Sequence, residues 1–458
     1  MDVPVGTVLA AACAVFVAMA MVNGFLRRAR TRLPPGPRGL PLLANIFDMP
    51  TEFQWLTFSS WAKTYGEIMS VRVLGHTIVI LDSARAVHEV LVKRGAQTAG
   101  RMRMHMLEYS GWENNTPSLL PDKFKTVKRF MTKYLGLNAL PPFLELADEE
   151  ITACIRRILS EHGVIDPEDQ LKRMAGSLIL RIAYGYKIES DNDDLVDIAE
   201  QALAIGLKLT NPGWILDTFP SLRFLPDWML GPIFVKTVSR SRALVKAIRT
   251  IPINFTKKQM EAGTAAPSLA AELLSLPEDE NSDALFAMLA DLYIAGIDTT
   301  VSTGRTLLLI LALYPEVQAK GQREVDDFTH RERLPTYSDR PHLPYVSALV
   351  KELYRFRGVA NLAIPHRATQ EMEYNGYSIP EDAVLIPNLW SIFHDETKYP
   401  RPSEFSPERY LSDAAGGLLE SSGPDAELVN EDPTRYVFGF GSRLHHPGPM
   451  ILVSSCSI

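Results

Sequence analysis

Ala295-Gly296-Ile297-Asp298-Thr299-Thr300 lies inside an apolar run from Asp283 to Tyr314, and its reading decides the fold. Apolar residues recur at helical spacing through Leu285, Leu289, Leu292 and Ile294, and resume at Leu307, Ile310 and Leu311. The run predicts one long central helix. The six residues at its middle break the pattern. Glycine in a helix interior costs roughly 1 kcal/mol against alanine. Asp and Thr side chains compete for backbone hydrogen bonds. Two readings stand. In one, the helix is locally loosened and the threonines bond back to carbonyls one turn earlier. In the other, the stretch forms a groove beside a cofactor, with Asp298 and Thr299 handling protons or a small ligand.

The rest of the chain sets the context. Its 458 residues are 46% hydrophobic and 22% charged, the make-up of an ordinary globular protein. A net charge of -7 argues against nucleic acid as the main partner. The three cysteines, Cys13, Cys154 and Cys456, form no CxxC pair, which suits a chain facing a reducing compartment. Val3 to Val22 carries no charge and is close to the span of a bilayer core. Arg27, Arg28, Arg30 and Arg32 follow it, so residues 1–26 read as a transmembrane anchor with the body on the cytosolic side. Leu33-Pro34-Pro35-Gly36-Pro37 makes 27–41 a basic, stiff hinge.

Past the hinge, a helical pattern from Phe53 to Tyr65 precedes two strand-like runs between Ile68 and Leu81. Ser83 is placed to cap a helix. Gly100 to Pro121 reads as loop with short helices, and Lys123 to Arg129 opens a basic helix. Helical spacing recurs over Asp148–Leu159, Pro167–Tyr184, Asp193–Leu209, Phe234–Glu261, Glu316–Phe328 and Tyr345–Phe356. Phe219 to Pro232 is aromatic and Pro-rich, fit to cover a pocket, touch a membrane surface or simply pack. Gly263 to Asn281 reads as a polar linker, and Asn375-Gly376 as a hairpin turn.

Three further motifs follow the central helix: Glu352-x-x-Arg355, Phe405-x-Pro407-Glu408-Arg409-Tyr410, and Phe438-Gly439-x-Gly441-x-Arg443. Singly they are weak. In this order, behind an anchor and a Pro-rich hinge, the chain resembles the cytochrome P-450 superfamily of haem-thiolate monooxygenases. The likeness is to the microsomal, fungal-like type, and it runs to about Gly448. It implies a mainly α fold with a small sheet region near the N-terminus, preceded by one transmembrane helix. A haem-binding body would span 42–448, with haem b (iron protoporphyrin IX) between the central helix and the Phe438 loop. Residues 449–458 form an atypical tail.

The resemblance also implies roles. Gly296 would kink the central helix over the haem. Thr299 would hydrogen-bond dioxygen or a water beside it, and Asp298 would relay protons. Glu352, Arg355 and Arg409 would form a buried ion network. Lys125, His366 and Arg443 would meet the haem propionates; Phe124-Lys125 stands where the family usually has Trp-Arg. For His366 the alternative is a structural histidine satisfied by its neighbours. The activity implied is insertion of one oxygen atom of O2 into a small apolar substrate. Electrons would come from an NADPH-dependent flavin reductase docked on Lys123, Lys125, Lys128 and Arg129. The protein would sit in the endoplasmic reticulum membrane and serve secondary metabolism.

One departure is large. The family places its ligating cysteine two residues after the motif arginine, and here that position is His445. His446-Pro447-Gly448 looks like the family's Cys-Pro-Gly displaced by one. Three accounts remain open: a recorded sequence that is wrong after about Leu444, a membrane-anchored relic without oxidation activity, or a haem protein using His445 as metal ligand.

Overall fold

The computed structural model describes residues 32–41, 43–73, 75–160, 166–188, 193–211, 214–277, 282–411 and 430–441. The expected anchor over 1–26 and the tail over 449–458 lie outside the described residues. The chain divides into two units.

The first unit takes its described residues from 1–102, 361–392 and 440–443. Helix α1 (Gln54–Tyr65) leads into β1 (Ile68–Val73) and β2 (His76–Leu81). Later come β3 (His366–Arg367), β4 (Met372–Tyr374), β5 (Tyr377–Ile379) and β6 (Val384–Pro387). The main sheet has the order β1-β2-β6-β3, with β2 and β6 parallel and the other neighbours antiparallel. It is therefore mixed, but not confined to the N-terminal part: half its strands come from residues beyond 360. Val384 lies opposite Ile78 and Ile386 opposite Ile80, which aligns their apolar side chains over Phe58 of α1. β4 and β5 form the expected hairpin, with Asn375 and Gly376 at φ 50° and 75°.

The expected stiff hinge is also tied to the sheet. Pro35 O accepts from Ser70 N–H at 2.8 Å and Pro34 O from Ser70 Oγ at 2.6 Å. Prolines lack N–H donors but keep their carbonyls, so this extended segment covers the edge strand β1.

The second unit is helical. Its longer elements are α2 (Pro121–Leu135), α3 (Pro141–Ser160), α4 (Pro167–Tyr184), α5 (Asp194–Thr210), α6 (Pro232–Glu261), α7 (Asp283–Leu313), α8 (Pro315–Thr329) and α9 (Pro344–Phe356). α4 shows why these boundaries fall where they do. Asp166 Oδ1 accepts from Glu168 N–H at 2.9 Å, Pro167 opens the helix, and Gly185 closes it at φ 68°. The linker expected at 263–281 contains a further short helix, Leu269–Leu274, with Leu269, Ala270 and Leu273 buried.

α7 is the central helix. At 31 residues it is the one described helix long and apolar enough to cross a membrane, yet two-thirds of its most apolar window is buried inside the protein. It is a core helix, packed against α4. It stops where Pro315 disfavours helical backbone at Tyr314, which sits at φ -124°, ψ 73°. No break in the helix marks the kink expected at Gly296: helix runs continuously from Asp283 to Leu313. Gly296 answers a different need. A Cβ there would lie 2.8 Å from Ile179 Cγ1 and 2.9 Å from Ile179 Cδ1. The missing side chain lets α4 come close, which the sequence around Gly296 does not reveal.

Candidate active site

The six central residues straddle a boundary on α7. Gly296, Ile297 and Thr300 are buried, Ala295 and Asp298 are exposed, and Thr299 is partly exposed. Thr299 Oγ1 donates to Ala295 O at 2.8 Å, and Thr300 Oγ1 to Gly296 O at 2.6 Å. Thr303 and Thr306 repeat the pattern one turn on, each at 2.8 Å. Back-bonding thus describes the hydroxyls. It does not describe Asp298, which has no hydrogen-bond or ion-pair partner among the described residues. Partial burial alone pushes its carboxyl above the usual carboxylate range. Thr299 Oγ1 keeps lone pairs to accept a bond from water, but must leave Ala295 O before it can donate elsewhere.

The second grouping is closed. Glu352 and Arg355 are fully buried and paired through two bonds: Nε to Oε2 at 2.8 Å and Nη2 to Oε1 at 2.7 Å. Their spacing on α9 puts them on one face. Arg409 Nε adds a bond to Glu352 Oε1 at 3.2 Å, and Ser406 N–H another at 3.0 Å. Two guanidinium groups face one carboxylate, and backbone oxygens take up the excess charge. Arg355 Nη1 donates to Phe393 O and Pro402 O at 2.9 Å each, and Arg409 Nη2 to Arg401 O at 2.7 Å. The expected ion network is in place, and it pins the 393–409 segment to α9.

The expected cofactor contacts are less uniform. Lys125 lies exposed on α2 beside buried Phe124. No hydrogen bond or ion pair among the described residues fixes it. His366 is 2% exposed, with Nδ1 2.8 Å from Thr98 O. A carbonyl only accepts, so Nδ1 carries the proton and the structural reading of this histidine holds for that atom. Phe440 packs beside the ring, 6.4 Å between centroids. Gly441, at φ 55°, brings its backbone against Leu91 and Gly95, where a Cβ would lie 2.5 Å from Leu91 O. Arg443 and His445 lie outside the described residues.

Three residues escaped the sequence reading. Ile179 is the partner of Gly296. Arg101 is a buried cation whose Nη1 donates to Ile364 O and Pro365 O at 2.8 Å each, just before His366. Asp291, one turn before Ala295, accepts from Thr116 N–H at 2.6 Å. Only Asp291 carried a signal, as an acid inside an apolar helical run.

The comparisons with known proteins agree with this geometry. The family model for cytochrome P450 matches residues 34–444. The chain belongs to the cytochrome P450 family. It is 37% identical to cytochrome P450 monooxygenase claR of Ampulloclitocybe clavipes, over 90% of this chain and 76% of that protein. It is 36% identical to cytochrome P450 monooxygenase 208 of Postia placenta, over 91% and 80%. With cytochrome P450 monooxygenase COX2 of Coprinopsis cinerea it shares 34% identity over 95% and 82%. P450 membership brings with it a haem cofactor, dioxygen, a redox partner and an organic substrate.

Within this P450 the residues of the central helix fit a cofactor. At mid-helix Ala295 and Asp298 are exposed and Thr299 is partly exposed, and Asp298 has no hydrogen-bond or ion-pair partner among the described residues. The axial ligand is a different matter. The one cysteine among the described residues, Cys154, is buried in α3.

Proposed function

We propose that this P450 is a haem b monooxygenase inserting one oxygen atom of O2 into a small apolar substrate. The uncovered Ala295–Asp298–Thr299 face of α7 carries the reading. Haem, when bound, supplies the iron at which dioxygen is reduced and split. This chain's residues do the rest. Ala295 leaves room for a flat ligand against the helix. Asp298, with its carboxyl raised by partial burial, holds a proton more readily than a solvated aspartate and passes it to water at that face. Thr299 Oγ1 accepts a bond from that water and keeps it in place. His366, Lys125 and Arg443 would meet the propionates. Since Nδ1 of His366 is committed to Thr98 O, its other ring nitrogen donates to a carboxylate only as imidazolium.

Electrons would come from NADPH through a flavin reductase, with Lys123, Lys128 and Arg129 on α2 as the docking face. The body would face the cytosol at the endoplasmic reticulum membrane. Phe219, Phe224, Trp228 and Ile233 support a membrane surface: they are exposed by 58%, 78%, 74% and 74%. A role in secondary metabolism belongs to the same proposal.

A second reading keeps one observation in its favour. His445 stands where the family has cysteine, so the chain as written would be a non-catalytic, membrane-anchored haem binder or relic. The reduced, carbon-monoxide-bound absorption band decides between them. A red-shifted thiolate band supports the monooxygenase; haem with a histidine-type band, or no haem, supports the second reading.

A further inference from the structure

Charge is spread unevenly along this chain. Its net charge is -7, yet between Glu200 and Glu261 it carries nine Lys and Arg against two Asp. Both of those acids are engaged. Asp217 Oδ1 accepts from Met106 N–H at 2.9 Å. Asp227 accepts from the Tyr109 hydroxyl and lies 3.6 Å from Arg242 Nη1, whose guanidinium also stacks on the Tyr109 ring. Glu108, next to Tyr109, is paired with Arg103 at 2.9 Å. Arg223 and Lys236 are exposed and meet no carboxylate among the described residues. Exposed Arg240 donates to the amide oxygen of Gln201 at 2.6 Å, an uncharged partner.

The same stretch leaves apolar side chains uncovered. Its turns at Pro220–Phe224 and Asp227–Leu230 bury no residue. Gly231, at φ 95°, then leads the chain into α6. On that helix Ile233, Lys236 and Arg240 follow one another at intervals of three and four residues, so the exposed isoleucine shares its face with two cations. Arg223 sits beside Phe224, its guanidinium carbon 4.8 Å from the ring centroid. Apolar tips rimmed by cations, with the nearby acids already engaged, match hydrocarbon beneath a layer of negative charge. A neutral bilayer would take the apolar tips and leave the cations without partners.

We propose that Phe224, Trp228 and Ile233, flanked by Arg223, Lys236 and Arg240, dock on anionic phospholipid in preference to a neutral bilayer. The inference rests on the membrane-surface reading above and adds to it the charge of the lipid. Each Lys or Arg close to an anionic leaflet strengthens binding about fivefold, so three set a ceiling of roughly 100-fold over a neutral surface. The gain falls off within a Debye length, about 8 Å at physiological salt.

The test places the full chain in lipid nanodiscs of phosphatidylcholine, alone or with about one-third phosphatidylserine, at the same content of brominated acyl chains. Bromine quenches an indole that enters the bilayer, and the share due to Trp228 is read against Trp228→Phe. The anchor expected over 1–26 is common to both discs, so a difference between them belongs to the body. The docked-to-undocked ratio of Trp228 should be about tenfold or more higher in the anionic disc, and about 1 M salt should erase the gain. Arg223→Gln combined with Lys236→Gln should remove most of the gain and leave the neutral disc unchanged. Equal quenching of Trp228 in the two discs overturns the lipid preference and leaves the membrane-surface reading standing; no quenching in either overturns both. A double variant that keeps the full gain overturns the assignment to these cations. If that variant fails to fold, the lipid and salt comparison in the native chain still decides.

Discussion

Around Glu352 every charge is answered from within the protein; on the uncovered face of α7 the Asp298 carboxyl is answered by none of the described residues. Both regions rest on a carboxylate in a helix. Glu352 meets two guanidinium groups and a backbone N–H inside a packed core. Asp298 sits half-shielded with no partner among the described residues. A closed network is architecture. An unanswered acid beside an exposed alanine and a partly exposed threonine is chemistry waiting for a ligand. The contrast separates residues that hold the fold from residues that use it.

The strongest way to break this contrast is Glu352→Ala. It leaves two buried guanidinium groups without their carboxylate and should cost roughly 3–5 kcal/mol, with loss of soluble expression and of haem uptake. Unchanged melting and unchanged haem content would contradict the assignment. Arg409→Met should cost less, since it leaves the bidentate Glu352–Arg355 pair intact. Denaturant titration of both variants ranks them.

Next in size is Gly296→Val. Overpacking against Ile179 should cost about 1–3 kcal/mol. Shrinking the partner, as Ile179→Ala, should make the double variant less unstable than the sum of the singles, with a coupling of about 0.5–3 kcal/mol by double-mutant cycle. Strict additivity would show that Gly296 is there for some other reason than close packing.

On the open face the effects on stability should be small and those on turnover large. Asp298→Asn should shift stability by only about 0.5 kcal/mol. Its sign is fixed by linkage. The raised carboxyl stabilises the fold below its unfolded value, and that advantage is lost as pH rises through its folded value. The asparagine variant should thus gain on the native chain as pH rises, read as melting temperature across pH. In a chain that takes up haem, its oxidation rate should fall on the order of 100-fold or more. Smallest is Thr299→Val, which removes one bond to its own helix and should change stability by about 0.5 kcal/mol or less.

Local signals were legible. α4 was legible from its helical spacing over Pro167–Tyr184, and α7 from its apolar period and Pro315; the Asp166 and Gly185 caps that bound α4 are findings of the structure. α3 was read too short, because Pro141 and Pro142 look like breakers although proline is favoured in a first helical turn. The six-residue helix at Leu269–Leu274 is too short to display a period. What sequence cannot display is pairing across distance. The parallel contact of β2 with β6 joins residues 78–81 to 384–387. Gly296 needs Ile179, and Thr116 needs Asp291. The Glu352–Arg409 bond spans 57 residues and was reachable only through the family's motif order.

The account rests on the Ala295–Thr299 face addressing haem, and Ala295→Trp tests it most directly. The indole would cover that face from an exposed position, so the fold should survive. The measurement is haem bound per chain in His445→Cys and in the same chain with Ala295→Trp added, with melting temperature as the control. The account predicts haem uptake and a thiolate-type carbon monoxide band in the first, and loss of both in the second at an unchanged melting temperature. Full haem uptake with the tryptophan in place, or none in the His445→Cys chain, would contradict it.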